Sequence, residues 1–169
     1  MIQKQFLSPH FSLLEFTESP TARKHGIANV PPAKAVDNLK RLCENTLEPL
    51  REALQLPVVI TSGFRTKALN DILAHASERS QHMAGQAADF YIGWGQRLKG
   101  LSARELLIKA FRMIIQNDAI DYDQLILYPS FIHVSYVSKE KNRRTILLGM
   151  RNGKLSYGKC SVENALKIQ

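Results

Sequence analysis

The chain has 169 residues, 44% of them hydrophobic, which suits one well-buried core and hence a single domain over residues 1–169. No stretch approaches the roughly 20 apolar residues of a membrane span, and the opening MIQKQFLSPHFSLLEF lacks the apolar run and cleavage site of a secretory signal, so a protein soluble in the cytoplasm as synthesised is expected. The two cysteines, Cys43 and Cys160, stand in no CxxC spacing and point to neither a disulfide framework nor a thiolate zinc site, while the net charge of +8 predicts attraction to polyanions without choosing among nucleic acid, an anionic wall and a membrane surface.

In chain order, FSLLEF reads as a short helix opened by Ser12, with Glu15 three residues later in a capping-box pattern. ESPTARKHG offers a further helical turn ending at Gly26, and the consecutive prolines of IANVPP keep that segment extended. From Ala33 to Leu54 the apolar positions Val36, Leu39, Cys43, Leu47, Leu50 and Leu54 recur at steps of three and four, which predicts one long amphipathic helix closed off by Pro57. PVVITS reads as a buried strand with GFRT as the loop at its end, and TKALNDILA as a short helix running into the polar loop HASERSQ. QAADFYI (86–92) alternates as a strand and is broken by the cluster Gly93, Gly95 and Gly100.

A second core helix is predicted from about Ser102 to Asn117, with Leu106, Ala110 and Ile114 in one row and Leu107, Phe111 and Ile115 in the next. QLILY and FIHVSY are strands that turn at Pro129 and Ser130. RRTILLGM and GKLSY form a hairpin around Arg151, Asn152 and Gly153, whose N-G pair is a turn signal. The expected class is α+β, with helices packed on a small central antiparallel sheet.

The strand period of two puts Ile132, Val134 and Tyr136 on one face of FIHVSY and Phe131, His133 and Ser135 on the other. In QAADFYI, Asp89 shares a face with Ala87 and Tyr91, opposite Ala88, Phe90 and Ile92; a carboxylate between alanines in an apolar strand needs a counterion. His82 reaches Asp89 only if the chain turns between them, and Gly85 permits the turn. Two imidazoles and a carboxylate converging on one point make a zinc site with three protein ligands and a fourth position open to water. Taken singly, each has a plainer explanation: either histidine as a surface or satisfied core residue, Asp89 as the ion-pair partner of an arginine.

The pattern S-x-H-x-x-G-x-A-x-D at Ser80, His82, Gly85, Ala87 and Asp89, the later FIHVS with His133, and the earlier SGFRT with Arg65 together resemble the zinc D-alanyl-D-alanine carboxypeptidases. That family includes phage L-alanyl-D-glutamate endopeptidases, and FSLLEFTESPTA, GIANVPP and the long helix are similar to its phage-type members. The likeness covers roughly residues 11–137. It implies a fold like that of the Hedgehog domain and the DD-peptidases, Zn²⁺ held by His82, Asp89 and His133, and Arg65 as the group that binds the substrate carbonyl or the oxyanion. Arg65 could instead simply neutralise Asp89.

One element of the resemblance is missing. The family places Glu or Asp a few residues before its last histidine as the proton-transferring base, whereas DQLILYPSFIH offers Tyr128 or Ser130 there, neither a base at neutral pH. The nearest acids are Asp121 and Asp123. Asp123 could serve only if strand and turn bring it back, against five intervening residues of extended chain; alternatively, Tyr128 could donate a hydrogen bond to the tetrahedral oxygen.

The resemblance implies a zinc metallopeptidase acting on an amide bond involving a D-amino acid in peptidoglycan, of phage or prophage type, released to the wall through a membrane lesion, as an endolysin is. A catalytically weak or inactive wall-binding or phage structural module that keeps the zinc is the alternative. Anionic wall polymers are a further partner suited to the basic surface. A nucleic-acid binder would rest on charge alone, because KEKNRR (139–144), Lys154 and Lys159 lack the interleaved aromatics of a single-strand groove.

Overall fold

Pro49 decides the shape of the first long helical segment. Its ring has no N–H and would collide with the carbonyl of Asn45 in a regular α-helix. The computed structural model, which describes residues 5–74, 76–93, 100–151 and 154–168, accordingly divides the expected helix. α3 (Ala33–Leu42) leads into a π-helical turn (Cys43–Leu47), in which the Glu48 N–H reaches back to the Cys43 carbonyl, and α4 (Glu48–Leu54) follows. The displaced Asn45 carbonyl accepts instead from the Asp121 N–H at 3.0 Å. The apolar stripe survives the widening, for Leu39, Leu42, Cys43, Leu47 and Leu50 are all fully buried.

Upstream, α1 (Leu13–Thr17) begins where Glu15 accepts from the Ser12 N–H at 2.7 Å, the capping box read from the spacing. α2 (Pro20–Lys24) ends just before Gly26, and residues 27–32 form no regular element. Phe11 and Phe16 pack edge to face, ring centroids 6.1 Å apart, in the core.

The sheet has six strands in the order β1-β2-β4-β3-β5-β6. They are β1 (Val58–Ser62), β2 (Ala87–Ile92), β3 (Gln124–Leu127), β4 (Ile132–Ser135), β5 (Thr145–Arg151) and β6 (Lys154–Lys159). The expectation of an all-antiparallel sheet is corrected: β3 and β5 pair in parallel. β3 and β4 form a hairpin, and residues 136–144 then cross over to place β5 on the far side of β3. A strand that reverses β4 and lands there runs along β3. β1 also differs from the expected buried strand. It lies at the sheet edge, paired with β2, burying Val58 while Thr61 is exposed.

Register sorts the sheet into two faces. Phe90, Ile132 and Leu127 lie side by side across β2, β4 and β3, as do Ala88, Val134, Leu125 and Ile146 from β2 to β5. All are buried in the core with α3, α4 and α6 (Ala103–Gln116), the last presenting Leu106, Leu107, Ala110, Phe111 and Ile114. The other face carries the row Asp89, His133, Ile126 and Leu147. One face is therefore spent on stability, and the other is free for chemistry.

Two short helices complete the described residues. α5 (Lys67–Ile72) follows the SGFRT loop with Thr66 as its cap, and α7 (Val162–Leu166), unforeseen from the sequence, is capped by Ser161 and buries Ala165. The expected turn at Asn152 and Gly153, together with Gly95 and His75, lies outside the described residues. Among the described residues no helix is long and apolar enough to cross a membrane.

Candidate metal centre

β2 and β4 place Asp89 directly opposite His133 on the open face of the sheet. His82 arrives from a 3₁₀ turn (Gln81–Ala84) that precedes β2. Gly85 makes the return possible. Its φ is +69°, its N–H bonds the His82 carbonyl at 3.1 Å, and a Cβ there would lie 2.4 Å from the Ala35 carbonyl oxygen of α3. Asn38, also on α3, donates from Nδ2 to the Ala84 carbonyl at 2.8 Å and fixes the turn from the same side.

The three functional atoms then form a small triangle. His82 Nε2 lies 3.2 Å from His133 Nδ1 and 3.3 Å from Asp89 Oδ1, and His133 Nδ1 lies 2.8 Å from that oxygen. The tautomer of His82 follows from its other nitrogen, which is 2.6 Å from the Gly63 carbonyl. A carbonyl only accepts, so Nδ1 carries the proton and Nε2 turns a bare lone pair toward the triangle. Tetrahedral ligands about 2.05 Å from a zinc ion stand ~3.3 Å apart. The donor set, its spacing and its tautomer thus fit a divalent metal.

Electrostatics favour the same protonation states. Burial pushes the His82 imidazole below its ordinary value, only partly opposed by Asp89, so the ring stays neutral. Burial works against ionisation of Asp89, but the two histidines crowded on its Oδ1, with His133 as the hydrogen-bond donor, outweigh it and hold the carboxyl well below the usual range. Arg65 adds a fixed cation, donating from Nη2 to Asp89 Oδ2 at 2.9 Å and from Nε to Ser62 Oγ at 3.1 Å. Arg65 thus neutralises Asp89 and keeps its third nitrogen, Nη1, as a remaining donor.

The loop that carries Gly63 and Arg65 is clamped from the N-terminal helices. Phe64 N–H bonds the Phe16 carbonyl at 2.7 Å, and a Cβ on Gly63 would meet Phe16 at 2.6 Å. Asn29 donates to the Thr17 and Phe64 carbonyls and accepts from the Thr66 N–H, each at 2.9 Å. Sequence reasoning missed Gly63 and Asn29 as supports. The Gly two residues before the arginine in SGFRT was the available signal.

The triangle sits in a cleft of about 940 Å³ whose lining also includes Arg65, Gln81, Asp123, Tyr128, Phe131 and Arg143. Asp123 does come back to the site, because hairpin pairing sets it beside Ser135, whose carbonyl accepts its N–H at 2.7 Å. It is fully buried. Its oxygens accept from the Arg143 N–H at 2.8 Å, Arg143 Nε at 2.9 Å and Gln81 Nε2 at 2.9 Å, and Arg143 Nη2 closes the ion pair. Burial alone would raise its pKa, but the Arg143 and Gln81 hydrogen bonds prevail and lower it. Tyr128 is half-buried and stacks on Phe131, ring centroids 4.3 Å apart. Its ring lies so near Gly149 that a Cβ there would come within 2.4 Å. Ser130 is exposed at the β3–β4 turn. Gln81 and Arg143 are the cleft residues that sequence reasoning did not single out, though Arg143 stands in the basic run KEKNRR.

Known proteins bear on this arrangement in two ways. No curated protein matches the chain. A family model described as Peptidase M15 matches residues 9–135, a span that includes Arg65, His82, Asp89, Asp123, Tyr128 and His133 and stops at the end of β4. With three quarters of its length matched and a largely buried His-Asp-His triangle inside that match, the chain belongs to the M15 peptidase family.

Proposed function

We propose that the protein is a zinc-dependent peptidase that hydrolyses an amide bond involving a D-amino acid in peptidoglycan peptides, as a carboxypeptidase or an endopeptidase. The observation that carries this reading is the triangle of His82 Nε2, Asp89 Oδ1 and His133 Nδ1 in a cleft of peptide-accommodating volume. These three residues would hold the ion, and zinc, when bound, supplies a Lewis acid that polarises a carbonyl and brings the pKa of water to about 7. Arg65, pinned by Ser62 and Asp89, offers its remaining guanidinium edge to the substrate carbonyl or to the oxyanion formed from it. Tyr128 offers a phenolic donor to the same oxygen.

Asp123 is in this reading a positioning residue. A carboxylate that already accepts from Arg143 and Gln81 is a weak proton acceptor, and what it does instead is hold Gln81, the chain neighbour of His82, against β3. Absence of a dedicated base costs about 10² to 10⁴ in rate. Modest turnover is therefore expected. The whole chain is read as one domain of phage or prophage type, made in the cytoplasm and acting on the wall after release, with anionic wall polymers as further contacts for its basic surface.

A second reading has one observation in its favour. Among the described residues, the only acidic groups lining the cleft are Asp89 and Asp123, and both are already ion-paired. That suits a wall-binding or phage structural module that keeps its metal and has lost catalysis. The experiment is metal analysis of the purified chain and of His133→Ala, together with incubation of the zinc-loaded protein with purified muropeptides and mass spectrometry of the products. One zinc per chain, lost in the variant, with new amines released, is the expected result. Zinc without cleavage selects the module, and full zinc in His133→Ala overturns the ligand assignment.

A further inference from the structure

The wall of the cleft beyond the His-Asp-His triangle is cationic. Arg79, Lys141 and Arg143 line it, and Arg65 makes a fourth positive group against only two carboxylates, Asp89 paired to Arg65 and Asp123 paired to Arg143. Arg79 and Lys141 are exposed and enter no ion pair among the described residues; their chain neighbours Glu78 and Glu140 do not line the cleft.

Arg143 differs from an ordinary surface arginine. Its Nε and Nη2 are tied to the fully buried Asp123, its backbone N–H bonds the same carboxylate, and Nη2 also approaches Gln81 Oε1 at 3.3 Å. Nη1 is the remaining nitrogen, and the side chain is still 57% exposed. A guanidinium already held in place gives up little conformational freedom when an anion arrives, and its planar donors match a carboxylate. Ile126, Val137 and Leu147 stand in the same lining. That mixture of fixed cation and apolar surface suits the carbon and carboxylate of a peptide better than the uniformly charged backbone of a nucleic acid.

We propose that this wall is an anion subsite for a carboxylate of the substrate peptide outside the scissile amide itself, with Arg143 as the preset donor and Arg79 and Lys141 adding charge. The inference deepens the peptidase reading and rests on it for the identity of the peptide. Two carboxylates of a stem peptide carry the required chemistry, the internal D-glutamyl group and the C-terminus.

Calorimetric titration of the full-length protein, treated with a chelator so that no turnover intervenes, separates them. Three synthetic stem pentapeptides serve as probes: both carboxylates free, the D-glutamyl group amidated, and the C-terminus amidated. One amidated peptide is expected to bind on the order of tenfold more weakly than the free form. The Arg79→Ala/Lys141→Ala double variant should lose about threefold of that discrimination, with its fold intact because neither side chain is ion-paired. Equal affinities for the three peptides, no measurable binding of any, discrimination unchanged in the double variant, or tighter binding of a DNA duplex than of the peptides would each overturn the proposal. Discrimination that persists while the zinc-loaded protein cleaves nothing would leave the subsite standing and remove the peptidase reading. Cleavage of all three peptides with equal affinity would do the reverse.

Discussion

The two sides of the cleft are built by different means. The metal-binding side is held by the main chain: Gly63 and Ala84 carbonyls accept from His82 and Asn38, the Arg65 and Gly85 N–H groups share the His82 carbonyl, and strand register alone sets Asp89 against His133. The Asp123 side is held largely by side chains, with Gln81 and Arg143 converging from positions 42 and 20 residues away in the chain. Backbone-anchored groups keep their geometry when neighbouring side chains change, because the sheet and turns that fix them are distributed over many residues. A side-chain network depends on each member and is lost or retuned one residue at a time. The triangle is therefore the rigid part of the site, and the Asp123 wall is the part where specificity can vary.

That contrast predicts its own largest failure. Gly85→Ala places a side chain in left-handed backbone and 2.4 Å from the Ala35 carbonyl oxygen, which cannot move without moving α3. The expected loss is about 3 kcal/mol or more, together with the zinc site, because His82 moves with the turn. Thermal unfolding and metal content both read it. A Gly85→Ala protein with unchanged melting and full zinc would show that the turn is not what fixes His82.

Asp123→Asn acts on the other side. An amide nitrogen would face the Arg143 donors, so about 2–3 kcal/mol should be lost while zinc content persists. The pH dependence has a definite sign. The folded-state pKa of Asp123 lies below its ordinary 3.8, so its contribution is fully present above that value and is lost as pH falls through the depressed one. Acid unfolding of the native chain should therefore include a component below about pH 4 that Asp123→Asn lacks. Identical acid profiles for the two proteins would remove Asp123 from the network. Loss of zinc in the variant would instead show that the two sides are not separately anchored.

The same contrast explains what could be read in advance. His82, Gly85, Asp89 and His133 were legible because each lies within a local pattern: a glycine that turns the chain, a carboxylate between alanines, a histidine on the polar face of an alternating strand. Gln81 and Arg143 form no local pattern, being 62 residues apart and brought together only by the fold, through Asp123 and a direct contact at 3.3 Å. Arg143 in particular looked like part of a solvated basic run. Asp123 reads from the sequence as too far along an extended chain, and the β3–β4 hairpin brings it back by pairing rather than by shortening the path. Apart from α7 the strands and longer helices were visible, but the parallel pairing of β3 with β5 depends on which side of β3 the 136–144 crossover takes, which periodicity does not encode. Likewise the apolar stripe from Val36 to Leu54 concealed the break at Pro49, since a π-helical turn preserves the buried face.

That π-helical turn is also where the two sides of the cleft share a support, and it gives the smallest of the expected effects. Thr46 Oγ1 donates to the Asp121 carbonyl at 2.5 Å while the Asp121 N–H donates to the Asn45 carbonyl, so the segment leading into β3 hangs from the widened helix two residues before Asp123. Thr46 is fully buried, and Thr46→Val keeps its shape while leaving the Asp121 carbonyl without that donor. The cost should be about 1–2 kcal/mol, seen as a fall of a few degrees in melting temperature. Zinc content should not change, because His82, Asp89 and His133 hang on α3, the Gly63 loop and the β2–β4 register rather than on this link. The variant should instead loosen the approach to Asp123 and bring the acid unfolding component toward that of Asp123→Asn. If Thr46→Val released the metal while leaving the acid profile untouched, the division between a backbone-held triangle and a side-chain-held wall would be wrong.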